Sequence, residues 1–192
     1  MPCFASIDVG SNASRLLLFE ADAPGELRKV ASFRHPVRMG HGVFLTGRLE
    51  PEAIDACVSA LKRFKAELGE REIAGMRAVV TASARDAVNS QELLERAEEE
   101  AGIRLEPISG TEEARLVKLA VESKLKLGGY RSLLVDLGGG SLELSEVRHD
   151  EVRYATSLEI GTVRLLESFL DAGPVTAEQE QLLLEYVERM ID

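Results

Sequence analysis

The sequence predicts an α/β fold of two similar lobes, the second cut short. Three observations carry this. Apolar runs of strand length alternate with runs of helical spacing, in the order βββαβαβα and then βββαα,. Each set opens on a hairpin whose first strand ends in an aspartate and a glycine-containing turn: FASIDVGSNASRLLLF over residues 4–19 and LLVDLGGGSLELSEV over 133–147. The two aspartates, Asp8 and Asp136, lie 128 residues apart, the size of one domain,. The division these signals give is residues 1–128 and 129–192.

Taken in order, the amino-terminal hairpin is followed by a third strand over Leu27 to Phe33 and a glycine-rich loop from Met39 to Gly47. From Pro51 to Leu68, Ile54, Val58, Leu61, Phe64 and Leu68 recur at helical spacing, and proline suits a first helical turn,. Met76 to Thr81 reads as a buried strand leading into a polar turn. A helix then spans Ser90 to Ala101, with Asn89 and Glu92 as its N-cap pair and Gly102 as its stop,. Ile103 to Ile108 is the next strand. Ser109 and Glu112 have capping-box spacing and open a helix that should end near Gly128 and Gly129,.

In the second hairpin, Leu133, Leu134 and Val135 read as a buried strand, with Asp136 the first polar group where the chain leaves the core,. After the turn the pattern alternates, so Ser141, Glu143 and Ser145 should share one face and Leu142 and Leu144 the other,. Arg153 to Ile160 is a further strand. Gly161 and Thr162 begin a helix to Leu170 that Asp171, Gly173 and Pro174 break. Thr176 caps a last helix carrying Leu183, Tyr186, Val187 and Met190 on one face,.

Gly138, Gly139 and Gly140 lack side chains and tolerate positive φ, so their N–H groups can converge on an anion,. A tight hairpin would need the glycines but not the flanking acid, hydroxyl and second acid, which favour a phosphate or metal-phosphate site. The chain is 45% hydrophobic, enough for a real core, and only 5% aromatic, with a formal charge of −10,. This argues against DNA or RNA partners, which call for a basic footprint or stacking platforms. A polyanion would have to be held by local amides, a few arginines and a metal ion. Cys3 and Cys57 have neither CxxC spacing nor a disulfide framework, and no apolar run approaches the about 18 residues of a membrane span,. A cytoplasmic protein without membrane association is the expectation.

Four blocks in order, IDVGSN at 7–12, TASARDAVN at 81–89, SGTEEARL at 109–116 and VDLGGGSLEL at 135–144, resemble the exopolyphosphatase and guanosine pentaphosphate phosphohydrolase family. That family lies within the actin, sugar-kinase and heat-shock ATPase superfamily. The resemblance implies actin-like, ribonuclease H-like lobes, the first complete and the second truncated, whose two phosphate loops face each other. It also implies Mg²⁺-dependent hydrolysis of the terminal phosphate of polyphosphate or guanosine pentaphosphate. On it, Glu113 is the general base that activates water, Asp136 and Glu143 organise the metal or position water, and Arg85 contacts phosphate. Asp8, Gly10, Ser11, Asn12, Gly138, Gly139, Gly140 and Ser141 hold phosphate oxygens.

Three departures stand out. Ala13 replaces a hydroxyl residue, Leu142 replaces a threonine on the face away from Ser141, and the family's two-lobe core continues past residue 192. Missing strands would leave an exposed sheet edge that favours self-association, so a homo-oligomer is expected. A non-catalytic polyphosphate- or alarmone-binding module is the competing reading.

Overall fold

The computed structural model describes residues 1–23, 26–125, 127, 130–149, 151–170 and 173–192, with Asp22 in its backbone alone. The chain divides into two compact units, Met1–Pro107 and Ile108–Asp192.

In the first unit, β1 (Cys3–Val9), β2 (Ala13–Ala23) and β3 (Glu26–Pro36) form an antiparallel meander. A short helix α1 (Val43–Thr46) stands where the sequence suggested only a loop. It is bracketed by Gly42 and Gly47, both left-handed. Helix α2 (Pro51–Leu68) has the predicted bounds, and its predicted stripe of Ile54, Val58, Leu61, Phe64 and Leu68 is buried. Strand β4 (Ile73–Val80) runs parallel to β1, and the turn after it is the short helix α3 (Ala82–Asp86). Helix α4 (Ser90–Ala101) ends at left-handed Gly102 as predicted. The strand expected over Ile103–Ile108 is reduced to β5 (Glu106–Pro107), giving the order β3-β2-β1-β4-β5. Leu16, Leu18, Ile54, Leu61, Phe64 and Leu93 are fully buried in this unit's core.

Asn89 does not cap α4. Its side chain accepts from Leu49 N–H at 2.8 Å and donates to Leu49 carbonyl at 3.1 Å. A side-chain amide offers donor and acceptor side by side, and the backbone of a distant loop uses both.

In the second unit, α5 (Gly110–Glu122) packs on the antiparallel sheet of β6 (Arg131–Leu137), β7 (Leu142–Arg148) and β8 (Glu151–Leu158), in the order β6-β7-β8. Because α5 packs on this sheet, the division falls before it. The expected boundary at 128/129 lies outside the described residues, but α5 ends at Glu122, with Ser123 as its C-cap, short of the end expected near Gly128 and Gly129. Ser109 caps α5 by accepting from Glu112 N–H at 3.1 Å, while the Glu112 carboxylate turns to Arg115 instead of closing the box. Helix α6 (Thr162–Phe169) and α7 (Ala177–Ile191) pack together, with the Phe169 and Tyr186 rings 5.0 Å apart. Thr176 and Gln179 form a full capping box on α7. Helix α6 ends at Phe169 with Leu170 as its C-cap, as expected; of the residues expected to break it, Gly173 and Pro174 are outside any helix and Asp171 lies outside the described residues.

Strand β6 departs from expectation in its burial. Leu133, Val135 and Leu137 are 65%, 55% and 54% exposed, and only the alternate residues, including Leu134 and Asp136, are half-buried. An apolar run shows that a strand is present, but not that both of its faces are covered. Here α5 covers one. Among the described residues no helix is long and apolar enough to cross a membrane.

Gly110 sets how closely α5 approaches the sheet, since a Cβ there would lie 2.3 Å from Ser157 Cβ and 2.7 Å from its Oγ. Gly110→Ala should therefore lower the urea midpoint by the equivalent of about 1–3 kcal/mol. A wild-type midpoint would show that the helix can move aside without cost.

Candidate active site

The first unit's candidate residues gather where β1 and β4 end. These neighbouring parallel strands finish in register at Val9 and Val80, and Thr81 N–H donates to Val9 carbonyl at 3.3 Å. Asp8 therefore precedes the Gly10–Asn12 turn at the same sheet edge where α3, carrying half-buried Arg85, begins. Gly10 N–H closes the turn on Ala13 carbonyl at 3.1 Å. The segment after β3 holds it from behind: Val37 and Arg38 N–H donate to Asn12 carbonyl at 3.2 and 3.0 Å, and Gly40 N–H to Ser11 carbonyl at 2.7 Å. Arg38 takes a left-handed conformation (φ 49°) to do so, unusual for a non-glycine residue,.

The second unit repeats this construction. Gly138 N–H closes its turn on Ser141 carbonyl at 2.9 Å, matching Gly10 to Ala13, and a Cβ at either glycine would stand 3.3 Å from that carbonyl oxygen. Positive φ is not what the glycines supply. The described glycines with positive φ are Gly42, Gly47, Gly69, Gly102 and Gly173, none of them in either turn. What they supply is room. Gly161, at the start of α6, lies against the turn so closely that its Cβ would fall 2.3 to 2.5 Å from backbone atoms of Gly139, Gly140 and Ser141.

That approach lets the first turn of α6 take up three consecutive loop carbonyls. Gly138 carbonyl accepts from Thr162 N–H (3.0 Å) and hydroxyl (3.3 Å). Gly139 carbonyl accepts from Val163 and Arg164 N–H (2.8 and 3.1 Å). Gly140 carbonyl accepts from Arg164 Nε (2.9 Å). In a trans peptide the next residue's N–H points opposite to the carbonyl, so the N–H groups of Gly139, Gly140 and Ser141 are turned away from α6. Among the described residues none of the three donates a hydrogen bond, although Gly140 and Ser141 are buried. Among the described residues the N–H groups of Ser11 and Asn12 likewise donate none. Buried backbone donors are almost always paired, so such a row points to an acceptor-rich ligand.

Beside this turn Asp136 and Glu143 stand directly opposite each other on β6 and β7. The predicted alternation holds: Glu143 is 2% exposed, in phase with Ser141 and Ser145, and half-buried Leu142 lies on the other face. One Glu143 oxygen accepts from Ser157 hydroxyl at 2.7 Å, the same Ser157 against which Gly110 packs. The start of α5 is thus fitted to the strand that supports Glu143, and Glu113 is half-buried in its first turn, with its N–H on Ser109 carbonyl at 2.9 Å. A cavity of about 480 Å³ between α5 and β6, lined by Val117, Val121, Lys124 and Val135 among others, reaches Asp136.

No group of three or more His, Cys, Asp or Glu side chains suited to a metal occurs among the described residues. An ion such as Mg²⁺ needs only one or two carboxylates, the rest of its sphere being water and phosphate oxygens, and Asp136 and Glu143, opposite each other in the strand register, are two such groups.

Gly110, Ser157, Gly161 and Arg164 were not singled out as site residues from sequence. Gly161 and Arg164 lie some two dozen residues beyond the loop they hold, and only the hairpin's return through β8 brings them to it. Ser14 and Ser83, next to the first loop and in α3, have buried hydroxyls without a hydrogen-bond partner among the described residues.

Comparison with known proteins places this geometry in a family. The Ppx/GppA phosphatase family matches over residues 19–192. The chain is 32% identical over 182 residues to exopolyphosphatase 1 of Mycobacterium leprae, covering 95% of this chain and 54% of that protein. It is 37% identical over 183 residues to exopolyphosphatase 2 of Mycobacterium tuberculosis, covering 91% and 57%. An exopolyphosphatase crystal structure from Cytophaga hutchinsonii superposes with a TM-score of 0.92 at 28% identity, over 98% of this chain and 60% of that one. The chain thus spans little more than half the length of these curated relatives, and the actin-like α/β class expected from the motifs is confirmed. With its four motifs in order and a match reaching from residue 19 to residue 192, the chain belongs to the Ppx/GppA phosphatase family.

Proposed function

We propose that this chain takes part in hydrolysing the terminal phosphoanhydride bond of inorganic polyphosphate. The observation that carries the reading is the row of undonated N–H groups at Gly139, Gly140 and Ser141, beside the Asp136–Glu143 pair. Phosphoryl transfer asks little covalent work of a protein. It needs the transferred group held, its charge neutralised and the attacking water oriented. In this reading the loop amides and the Ser141 hydroxyl hold phosphate oxygens, and the first unit carries a phosphate loop of the same build in Gly10, Ser11 and Asn12, with Asp8 at its foot and Arg85 on the helix that follows β4. Asp136 and Glu143 would hold Mg²⁺, which supplies charge neutralisation on the phosphate oxygens when bound. Glu113 takes the proton of the water that attacks the terminal phosphorus, while the bridging oxygen leaves with the shortened chain. The exopolyphosphatase names of the relatives favour polyphosphate over guanosine pentaphosphate.

The test is release of inorganic phosphate from long-chain polyphosphate with Mg²⁺, run beside guanosine pentaphosphate and beside calorimetric titration with tripolyphosphate. Release from polyphosphate is expected. Preferential release from the nucleotide would reassign the substrate. Binding without any release would favour a non-catalytic polyphosphate-binding module, and neither binding nor release would overturn the site.

A further inference from the structure

We propose that Arg164 is a positioning residue that strengthens the Ser141 N–H as a phosphate donor by polarising the peptide behind it, an inference that rests on the phosphate-loop reading above. The Arg164 Nε donates to Gly140 carbonyl at 2.9 Å, and that carbonyl belongs to the same peptide unit as the Ser141 N–H. A cation on a peptide oxygen draws electron density from the nitrogen and makes its hydrogen a better donor, an effect enlarged where the surroundings exclude water. The site excludes water: the Arg164 side chain is 11% exposed and Ser141 is 5% exposed.

Arg164 also contributes its own N–H to Gly139 carbonyl at 3.1 Å, so one residue secures two successive loop peptides, one by backbone and one by side chain. Its Nη1 lies 3.5 Å from the exposed Glu159 carboxylate, longer than the 2.9 Å from Nε to the loop carbonyl. The three loop carbonyls are not held alike. Those of Gly138 and Gly139 take neutral donors from α6, and Gly140 alone takes a formally charged one. In a chain of net charge −10, a mostly buried arginine on a carbonyl next to a phosphate loop concentrates positive potential where a polyanion has to be met,. The side chain works through the loop, and the loop touches the ligand.

The experiment compares wild type, Arg164→Met and Arg164→Lys in the 192-residue chain. It reads amide ¹H–¹⁵N shifts with and without tripolyphosphate, affinity by calorimetry, and melting temperature. In Arg164→Met, which keeps the backbone N–H and a similar length, the Ser141 amide proton should move upfield more than those of Gly139 and Gly140. Tripolyphosphate affinity should fall about tenfold, the loss of one charged hydrogen bond. Arg164→Lys, which returns a cationic donor, should recover most of the shift and affinity. If Arg164→Met fails to fold, the Lys variant alone decides, because a polarising role predicts a Ser141 shift near that of wild type. An unmoved Ser141 amide with affinity unchanged overturns the proposal. An affinity loss with Ser141 unmoved also overturns it, since Arg164 would then touch the ligand itself. Failure of wild type to bind tripolyphosphate would instead overturn the phosphate-loop reading, and this proposal with it.

Discussion

Glu113→Gln is expected to lower phosphate release from polyphosphate about 10³-fold while leaving tripolyphosphate affinity within about twofold of wild type. General bases contribute about 10² to 10⁴ in rate, and glutamine keeps the shape and a hydrogen-bonding oxygen but cannot take the proton. The residue sits in the first turn of α5, whose position is fixed by the Ser109 cap and by the contact of Gly110 with Ser157. Losing a negative charge at a helix start costs about 0.3–1 kcal/mol, so a large kinetic loss with a nearly unchanged melting temperature would separate chemistry from folding. Unchanged release would remove Glu113 as the base. Equal losses of release and affinity would make it a binding residue.

Gly161→Ala should be the most damaging single methyl in the second unit. The added carbon would stand 2.3 Å from Gly140 C, 2.4 Å from Ser141 N and 2.5 Å from Gly139 C. None of these is the end of a side chain that can rotate away, so the loop or the start of α6 must shift. Overpacking of this kind costs about 1–3 kcal/mol. The shift would also break the carbonyl contacts that turn the Gly139, Gly140 and Ser141 amides outward, so tripolyphosphate affinity should fall at least about tenfold. Amide shift changes confined to residues 138–141 and 161–164 would show that the damage is local. Wild-type affinity would mean that the loop holds its shape without α6.

Much of this architecture was legible because local rules and tertiary needs agree. Helices α2 and α4 carry clear apolar stripes with Pro51 at one start and Gly102 at one end, and both have the predicted bounds. The two aspartate-tipped turns were legible for a related reason, since an acid, small residues and a hydroxyl in that order have little purpose inside a strand. Asn89 was misread because its capping position was real in sequence, but the Leu49 backbone offers it two hydrogen bonds. Leu133 and Val135 were misread because an apolar strand does not reveal how many of its faces are covered. Gly161 and Arg164 lay out of reach for a third reason: their importance is a distance to a loop that only the folded meander creates.

The uneven burial of the two units bears on calorimetry. Heat capacity on melting rises with the aliphatic area newly wetted, and the side chains of Leu133, Val135 and Leu137 already meet solvent in the native state. Among the described residues, nearly all the fully enclosed aliphatic groups belong to Met1–Pro107. Most of the heat-capacity step in a thermogram of this chain therefore belongs to those first residues, and the phosphate loop beside α6 rides on the thermally lighter half.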